Sequence, residues 1–325
     1  MGLWAPDGSS LTTLLLPDKS VVTRLGGSLS DALARFGTPD VVHDNGIWMP
    51  HNHAVARAAA KRGIPRVVST RGMLEPWAMR HKRVKKEVAW RLYQRSDLRG
   101  ASWLHATSEA EASNLARHDL GRPVALIPNG VDLPPRMTDV SSRTANESRT
   151  AIFLGRIYPV KGLPMLVEAW SQVRPKNWRL VVAGPDEAGH LSEVTSLAAA
   201  RGLAMDISFP GSVEGDAKES LFRNADLFVL PTHSESFGMA VGEALSYGLP
   251  VLTTTAAPWP WLEQTGCGWR VPPDVASLAS GLASATSVDR STLAGMGERG
   301  RSLVAERFQW SIIARRFIAE YESAA

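Results

Sequence analysis

Short apolar runs that alternate with helical patterns restrict the fold of this chain more than any other feature of its sequence. The runs in the first half are PDVVH (39–43), PRVVST (65–70), SWLHATS (102–108) and PVALIP (123–128). Those in the second half are AIFLG (151–155), WRLVVAG (178–184), DISFPG (206–211), ADLFVLP (225–231) and PVLTTT (250–255). Each run is bounded by Pro, Gly or polar residues, as the buried strands of a parallel sheet are. The alternation therefore predicts an α/β fold with a parallel sheet in each half.

The segment 134–150, PPRMTDVSSRTANESRT, has the composition of a linker, poor in apolar residues and rich in Ser, Thr and Arg. We expect a first domain at 1–135, a linker at 136–149 and a second domain at 150–310, with a C-terminal helix at 311–325 that packs back toward the first domain. A chain of 325 residues is long enough for two such domains. Two doubly wound sheets joined by one linker would face each other across a cleft, where such folds bind ligands.

The composition indicates a protein without disulfides or membrane spans. Cys267 is the only cysteine, which excludes an intramolecular disulfide and a multi-cysteine metal site. The longest apolar run, LTTLLL, is far shorter than the ~20 residues of a membrane helix, so a cytoplasmic location is expected. His43, Asp44, His51 and His53 follow no standard metal-ligand spacing, so no bound metal is expected.

Positive charge is concentrated in the first half. Residues 1–149 carry 21 Lys and Arg against 14 Asp and Glu, whereas residues 150–325 carry 15 against 18. The stretch 80–95, RHKRVKKEVAWRLYQR, interleaves cations with Trp90 and Leu92 at roughly helical spacing. Two interpretations stay open: a solvated helix face, and a surface that binds anionic lipid and holds the protein on the inner face of the plasma membrane. Nucleic acid is not expected as a partner, because no nucleic-acid motif is present.

A phosphate site is expected from one loop in the second half, because no G-x-G-x-x-G or P-loop pattern follows any predicted strand. In AIFLGRIYPVKGLPMLVEAW (151–170) a strand leads into a loop with Arg156 and Lys161, before a helix that begins near Leu163. Two cations on one loop would neutralise two phosphates, and arginine can bind them bidentately. Solvated cations are also common on such loops, so this pattern alone is weak.

The stretch SESFGMAVGEALSYGLPV (234–251) carries two glutamates separated by seven residues. Glu235 lies in a predicted turn, Gly238 permits close backbone approach, and Glu243 follows about one turn farther along a predicted helix. The backbone amides of 236–239 at the start of that helix favour an anion. Since a phosphate would repel a carboxylate, the glutamates should bind a neutral group rich in hydroxyls, such as a sugar. Taken alone, each glutamate is more typical of a solvated surface residue, because most surface carboxylates have no other role.

These motifs resemble those of the retaining glycosyltransferases of family 4. SESFGMAVGEAL resembles the family's Glu, seven residues, Glu motif, while FLGRIYPVKG and ALIPNGVDL resemble its Gly-Arg…Lys-Gly and Pro-Asn-Gly-Val-Asp segments. VVHDNGIWMPHNHAVARAA, STRGMLEPWAM and TTTAAPWPWLEQTGCGWRV resemble a bacterial branch that builds lipopolysaccharide and exopolysaccharide. The matches extend over about 41–325. The resemblance implies a GT-B architecture, with two facing Rossmann-like domains, the nucleotide-sugar donor on the second and the acceptor on the first.

The resemblance also implies roles for individual residues. Arg156 and Lys161 would bind the donor diphosphate and stabilise it as it leaves. Glu235 would bind hydroxyls of the transferred sugar, and Glu243 would bind the ribose. The other donor contacts would be Val213 along the nucleobase and the backbone amides of Phe237, Gly238 and Met239. Because cations and helix dipoles stabilise the leaving group in such enzymes, no metal or other cofactor is implied.

The implied acceptor is a saccharide or a lipid-linked saccharide, with His53 and Arg71 as candidate acceptor-side residues. Where many relatives read His-Gly-Met, this chain has Arg71-Gly72-Met73. Arginine cannot act as a general base at neutral pH, so Arg71 would hold a phosphate or carboxylate. For His53, the role of an ordinary residue at a helix start is an equal alternative.

Three functional hypotheses follow. The first is an active retaining glycosyltransferase that extends a cell-surface polysaccharide or its lipid-linked precursor. The second is a nucleotide-sugar-binding protein without transfer activity, and the third is another enzyme on the same scaffold, such as a nucleotide-sugar epimerase. The second arises because the family begins with a strand, a Gly-rich loop and a helix, ~30 to 40 residues, ahead of the region matched by GLWAP. We expect either an upstream in-frame extension or a first segment that takes that position.

Overall fold

Two parallel sheets organise the part of the chain that the computed structural model describes, residues 39–135 and 148–324. The first unit extends to Leu126 and includes the C-terminal segment Ile318–Ala325, and the second unit is Ile127–Phe317. The α/β class and the parallel sheet in each half, predicted from the apolar runs, are confirmed. Two predictions concern residues outside the described ranges. They are most of the linker at 136–149, and the first segment of the chain, which was expected to take the position of the family's first strand.

In the part of the first unit that the structure describes, four parallel strands form a sheet in the order β1-β2-β3-β4. The strands are β1 Val42–Asn45, β2 Arg66–Ser69, β3 Trp103–Ala106 and β4 Val124–Leu126. The helices are α1 Pro50–Arg62, α2 Pro76–Arg80, α3 Arg83–Ala89, α4 Arg95–Arg99 and α5 Glu109–Ala116, with a π-helical segment, Trp90–Gln94, between α3 and α4. Strands β2 and β3 are buried along their whole length, which explains why they read as short continuous runs without a polar face.

The second unit has six parallel strands in the order β10-β9-β8-β5-β6-β7. The strands are β5 Arg149–Leu154, β6 Trp178–Ala183, β7 Ile207–Gly211, β8 Leu227–Leu230, β9 Val251–Thr254 and β10 Gly268–Val271. Read from β7 to β10, this is the 3-2-1-4-5-6 order of a doubly wound fold. The direction of winding reverses between β5 and β8, and ligands bind such sheets at the carboxyl ends of the strands on either side of that point.

Helices cover both faces of the second sheet, as its buried central strands require. They are α6 Leu163–Val173, α7 His190–Ala200, α8 Gly215–Arg223, α9 Met239–Ser246, α10 Trp261–Gln264, α11 Val275–Ser287, α12 Arg290–Arg307 and α13 Trp310–Ala324, with a 3₁₀ turn at Pro159–Lys161. The sheet contributes fully buried side chains such as Phe153, Leu180 and Phe228 to a core that also contains Trp170 and Trp259. This rigid sheet fixes where the loops at its carboxyl edge begin.

The last helix, α13, begins in the second unit, and its final residues belong to the first. Within the first unit, Tyr321 stacks on Trp103 of β3 with ring centroids 6.0 Å apart. The Tyr321 hydroxyl also lies 2.5 Å from Nδ1 of His43 on β1. The end of the chain is therefore held by both an aromatic contact and a polar one.

Candidate active site

A pocket of about 420 Å³ lies at the carboxyl ends of the strands of the second sheet, where the loops after β5 and β8 approach each other. Its walls come from the loops that follow β5, β6, β7 and β8 and from helices α8 and α9. All the donor-side residues predicted from the sequence line it: Arg156, Lys161, Val213, Glu235, Phe237, Gly238, Met239 and Glu243. The fold thus brings into one place residues that are up to 87 positions apart between Arg156 and Glu243.

Close backbone packing positions the loop after β5. Lys161 ends the 3₁₀ turn, and Gly162 follows it in the left-handed conformation, with φ at 67°. A Cβ on Gly162 would lie 2.0 Å from the carbonyl oxygen of Pro231, which directly follows β8. Only glycine allows this approach without displacing the backbone. The Lys161 ammonium is consequently held against the loop that carries Glu235.

The loop after β8 leads into the N-terminal end of α9. Gly238 has a φ of 82° and accepts a hydrogen bond from the Val241 N–H at 2.9 Å, which starts the helix. The first N–H groups of a helix have no carbonyl partner within the helix and carry its positive partial charge. Because Gly238 and Met239 line the pocket, this end of α9 offers an anion both backbone donors and a favourable field.

Three cation–carboxylate pairs line or border the pocket. The Lys161 ammonium contacts the Glu235 carboxylate, and both side chains are largely buried. Arg156 Nη1 lies 2.5 Å from Glu187 Oε2, and Lys218 Nζ lies 2.8 Å from Glu243 Oε1. A bound diphosphate would compete with the carboxylates for the cations. It would also release the glutamates to bind hydroxyl groups.

Sequence reasoning missed Lys218, which lies on α8 and enters the pocket beside Glu243. The loop before α8, with Val213, was recognised, but a lysine in the first turn of a solvent-facing helix carries no motif. Arg156 and Lys161 were predicted because they are cations in the loop just after a parallel strand. The same pattern finds Lys218 only if it includes the helix that follows the loop. Lys218 is therefore a further donor-side candidate.

The two acceptor-side candidates lie apart in the first unit. His53 on α1 bonds Asp97 of α4 through Nδ1 at 2.8 Å and lines a pocket of about 320 Å³ that also contains Arg57 and Tyr93. Arg71 follows β2 and donates from Nε and Nη2 to the Asn45 Oδ1, at 3.1 and 2.7 Å. Arg71 is not among the residues that line the His53 pocket. The structure thus gives His53 a structural partner and places Arg71 at the carboxyl edge of the first sheet.

A buried carboxylate fixes the loop of Arg71. Glu111 of α5 is 2% exposed and accepts hydrogen bonds from the Thr70 hydroxyl at 2.8 Å and the Gly72 N–H at 2.6 Å. It also accepts from the N–H and hydroxyl of Thr107. These bonds satisfy the carboxylate and hold Arg71 in a left-handed conformation, with φ at 52°.

A chain of polar side chains links β1, β2 and β3 of the first sheet, and in it Ser69 and His105 are fully buried and His43 is half-buried. His43 Nε2 lies 2.6 Å from the Ser69 hydroxyl, which in turn lies 2.6 Å from His105 Nδ1. Burial, together with electrostatic repulsion from the direction of His105 and Arg71, lowers the pKa of His43 to about 3. His43 is therefore neutral at physiological pH and links Tyr321 to the sheet through hydrogen bonds.

This pKa predicts that acid destabilises the first unit. A free histidine titrates near 6.5, so the stability that neutral His43 contributes is complete above pH ~6.5 and is lost as the pH falls toward 3. Denaturant unfolding at pH 7, 6 and 5 should show a free energy of unfolding that falls by up to ~1.4 kcal/mol per pH unit through this histidine. His43→Asn should flatten this dependence, and a matched change at exposed His81 should not. Equal slopes in all three proteins would contradict the assignment.

Metal sites and membrane-spanning helices are both absent from the residues that the structure describes. Within residues 39–135 and 148–324, no group of three or more His, Cys, Asp or Glu side chains is arranged to hold a metal ion. Asp44, one of the residues considered as a metal ligand, instead accepts a hydrogen bond from Asn52 at 2.7 Å. In the same ranges, no helix is both long and apolar enough to span a bilayer.

Family comparisons match both halves of the chain. Residues 2–130 match a family described as glycosyl transferase 4-like domain, and residues 148–287 match one described as glycosyl transferases group 1. The chain belongs to the group 1 glycosyltransferases. The family and the enzyme class predicted from the motifs are thereby confirmed, while the lipopolysaccharide and exopolysaccharide branch stays a prediction.

Related proteins carry named transfer activities. This glycosyltransferase is 26% identical over 304 residues to the GDP-mannose:cellobiosyl-diphosphopolyprenol alpha-mannosyltransferase of Xanthomonas oryzae pv. oryzae, over 92% of this chain and 77% of that protein. It is 30% identical over 230 residues to a phosphatidyl-myo-inositol mannosyltransferase of Mycobacterium tuberculosis, over 66% of this chain and 58% of that protein. The chain thus spans about three quarters of the first relative and less than two thirds of the second.

Solved structures share the fold. Sucrose-phosphate synthase from Thermosynechococcus elongatus gives a TM-score of 0.78 at 20% identity, over 95% of this chain and 80% of that one. Anabaena HepE, in complex with UDP and glucose, gives a TM-score of 0.73 at 21% identity, over 94% and 82%. These similarities confirm the GT-B class with two Rossmann-like domains for this glycosyltransferase.

Proposed function

We propose that this chain is a retaining glycosyltransferase that moves a sugar from a nucleoside-diphosphate sugar to a saccharide or lipid-linked acceptor used for a cell-surface polysaccharide. The observation that carries the proposal is the pocket of the second unit, where Arg156, Lys161 and the amides at the start of α9 surround one cavity with Glu235 and Glu243. Cations and amides suit a diphosphate, and carboxylates suit hydroxyls. A nucleotide sugar carries both kinds of group.

Catalysis in such a site rests on stabilising the departing group. When the bond between the sugar C1 and the diphosphate oxygen breaks, the electron pair stays on the diphosphate. Lys161, Arg156 and the N-terminal end of α9 would neutralise this developing charge, so no metal ion is needed in the proposal. Retention of configuration follows if the acceptor hydroxyl attacks C1 from the face the diphosphate leaves and gives its proton to the leaving oxygen. Glu235 would hold the sugar in place by its hydroxyls.

The donor base is proposed to be uracil or guanine. Support comes from HepE, solved with UDP, and from the Xanthomonas relative, whose name specifies GDP-mannose. Calorimetric titration of the purified protein with UDP and GDP tests the donor site directly. We expect saturable one-to-one binding of one of them, and ADP serves as the comparison nucleotide. Failure to bind any of the three would overturn the assignment of the pocket.

The acceptor is proposed to be lipid-linked, which would bring the protein to a membrane surface. Helix α3 and the π-helical segment present three exposed apolar side chains at successive turns, Val84, Val88 and Leu92, which are 77%, 52% and 76% exposed. Arg83 and Lys85 are neighbours of this stripe on an otherwise exposed helix. Apolar side chains flanked by cations suit the interface of an anionic bilayer.

Vesicle cosedimentation tests this surface. Vesicles containing anionic lipid should bind the protein at low salt and release it as salt rises, because salt screens the attraction. Leu92→Asp should reduce binding, since it places a negative charge in the stripe. Met205→Asp, a matched change at a residue that is 96% exposed in the second unit, should leave it unchanged. If cosedimentation depends on neither the lipid charge nor the salt concentration, this helix is a solvated face and not a membrane-binding surface.

A further inference from the structure

Trp259 is fully buried against the loop that follows β8. Its ring contacts those of Phe237 and Phe308, with centroid distances of 5.1 and 5.0 Å. Its indole Nε1–H donates a hydrogen bond to the Phe237 carbonyl at 2.5 Å. This carbonyl belongs to the peptide that joins Phe237 to Gly238, and both residues line the donor pocket.

That hydrogen bond determines where the next amide points. A trans peptide is planar, so its carbonyl and its N–H point in opposite directions. No peptide bond in the described residues is cis. Because the Phe237 carbonyl is directed into the core toward Trp259, the Gly238 N–H is directed away from the core. Gly238 is also one of the residues that line the donor pocket.

We infer that Trp259 is a positioning residue for donor binding, whose indole N–H holds the Phe237–Gly238 peptide so that the Gly238 N–H faces the donor diphosphate. The inference rests on the proposed function of the pocket. Trp259 is not among the residues that line the pocket, so it would act through the backbone alone. Loss of its N–H would free the peptide to rotate, and the pocket would lose an oriented donor while keeping every charged side chain.

Packing fixes the indole independently of any ligand. A Cβ on Gly238 would lie 3.3 Å from the Trp259 Nε1, and a Cβ on Gly242 would lie 3.4 Å from the far edge of the ring. The absence of side chains at these two positions lets the indole lie flush against the first turn of α9. Trp261 meets the ring edge-on at 6.0 Å, and Phe308 contacts both of these tryptophan rings, at 5.0 Å from Trp259 and 5.4 Å from Trp261. The indole N–H of Trp259 is therefore oriented by the fold itself. Such pre-orientation of a hydrogen-bond donor strengthens a polar site.

The chain contains a matched control for this hydrogen bond. Trp178 is 5% exposed and donates its Nε1–H to the Thr286 carbonyl at 3.2 Å. It lies in the same unit, at the amino-terminal end of β6, whereas the pocket lies beyond the carboxyl end of that strand. Trp178→Phe therefore removes another buried indole that donates to a backbone carbonyl, but it leaves the β8 loop untouched.

The test measures the Gly238 amide itself. The sequence contains two Phe-Gly steps, Phe36–Gly37 and Phe237–Gly238, so labelling Phe with ¹³C at the carbonyl and Gly with ¹⁵N gives two signals in a carbonyl-to-amide NMR experiment. The signal that disappears in Phe237→Leu is that of Gly238. The spectra are recorded for the unchanged protein, for Trp259→Phe and for Trp178→Phe, without nucleotide and at saturation with whichever of UDP and GDP binds.

In the unchanged protein and in Trp178→Phe, we expect the Gly238 amide proton to move downfield on nucleotide binding, as a hydrogen bond to phosphate requires. Trp259→Phe should abolish this shift and weaken nucleotide affinity about tenfold, the effect of losing one hydrogen bond to a charged group. Retention of both shift and affinity in a folded Trp259→Phe protein would overturn the inference. So would a bound nucleotide that leaves Gly238 unmoved in the unchanged protein. Absence of any nucleotide binding by the unchanged protein would instead overturn the proposed function.

Discussion

Replacing Lys161 with alanine is expected to weaken binding of the nucleoside diphosphate by roughly 10- to 150-fold, the equivalent of ~1.5 to 3 kcal/mol for one charge-assisted hydrogen bond. The Lys161 side chain is 16% exposed and is held beside the loop after β8 by the close packing of Gly162, so solvent screens its charge little. Arg156→Ala should have a smaller effect, because its side chain is 57% exposed. Titration calorimetry with the nucleotide measures both.

Lys176→Ala is the control, since it removes an exposed lysine outside the pocket of the second unit. A second effect must be separated from the loss of charge, because removing Lys161 leaves the Glu235 carboxylate without its partner. The double variant Lys161→Ala, Glu235→Gln removes that unpaired charge. If the double variant recovers nucleotide affinity, repulsion by Glu235 accounts for the loss. If Lys161→Ala binds as the unchanged protein does, Lys161 is not a phosphate ligand.

Glu235→Gln is expected to lower kcat/KM for the whole nucleotide-sugar donor by roughly 10- to 100-fold and to leave the affinity for the free nucleoside diphosphate within about twofold. The substitution keeps the size of the side chain and removes only its charge and part of its acceptor capacity. Since Glu235 is proposed to bind the transferred sugar, the substitution should not change the affinity for a ligand that lacks this sugar. Initial rates with the donor and calorimetry with the nucleotide give the two values.

Glu243→Gln provides the contrast. Its carboxylate is proposed to bind the ribose, which both ligands contain, so this variant should weaken the free nucleotide and the whole donor by similar factors. Glu243 is also paired with Lys218, so Lys218→Met should be measured beside it. Equal losses for both ligands in Glu235→Gln would contradict the assignment of Glu235 to the sugar. A loss confined to the whole donor in Glu243→Gln would contradict the assignment of Glu243 to the ribose.

The strands and the position of the donor site could be predicted because both depend on local patterns. Buried parallel strands are short apolar runs, and the carboxyl ends of parallel strands meet at one edge of a sheet. The residues that follow β5 and β8 must therefore lie close together at one edge of the sheet, whatever the details of packing. Strand β10 was not predicted from the sequence. It begins at Gly268 and contains Arg270, so it is not a continuous apolar run. Glycine is required there because a Cβ would lie 2.2 Å from the Val251 carbonyl oxygen of β9.

What could not be predicted depends on contacts between distant segments. The pairing of Lys218 with Glu243 joins α8 to α9, and no local pattern relates the two residues. The hydrogen bond from Trp259 to the Phe237 carbonyl also needs the tertiary fold, because an indole N–H carries no sequence signature of its partner. In the first unit, His53 and Arg71 had been grouped as acceptor-side residues. The structure gives them separate partners, Asp97 and Asn45.

Donor turnover by the purified protein tests the proposed glycosyl transfer most directly. UDP-glucose, UDP-galactose, UDP-N-acetylglucosamine and GDP-mannose are each incubated with it, with and without a lipid-linked saccharide, and released nucleoside diphosphate and the anomeric configuration of the product are measured by NMR. We expect that at least one donor is consumed, that the acceptor accelerates its consumption, and that the transferred sugar keeps its configuration. Nucleotide binding without release of nucleoside diphosphate from any donor would contradict this expectation and would favour a nucleotide-sugar-binding protein without transfer activity.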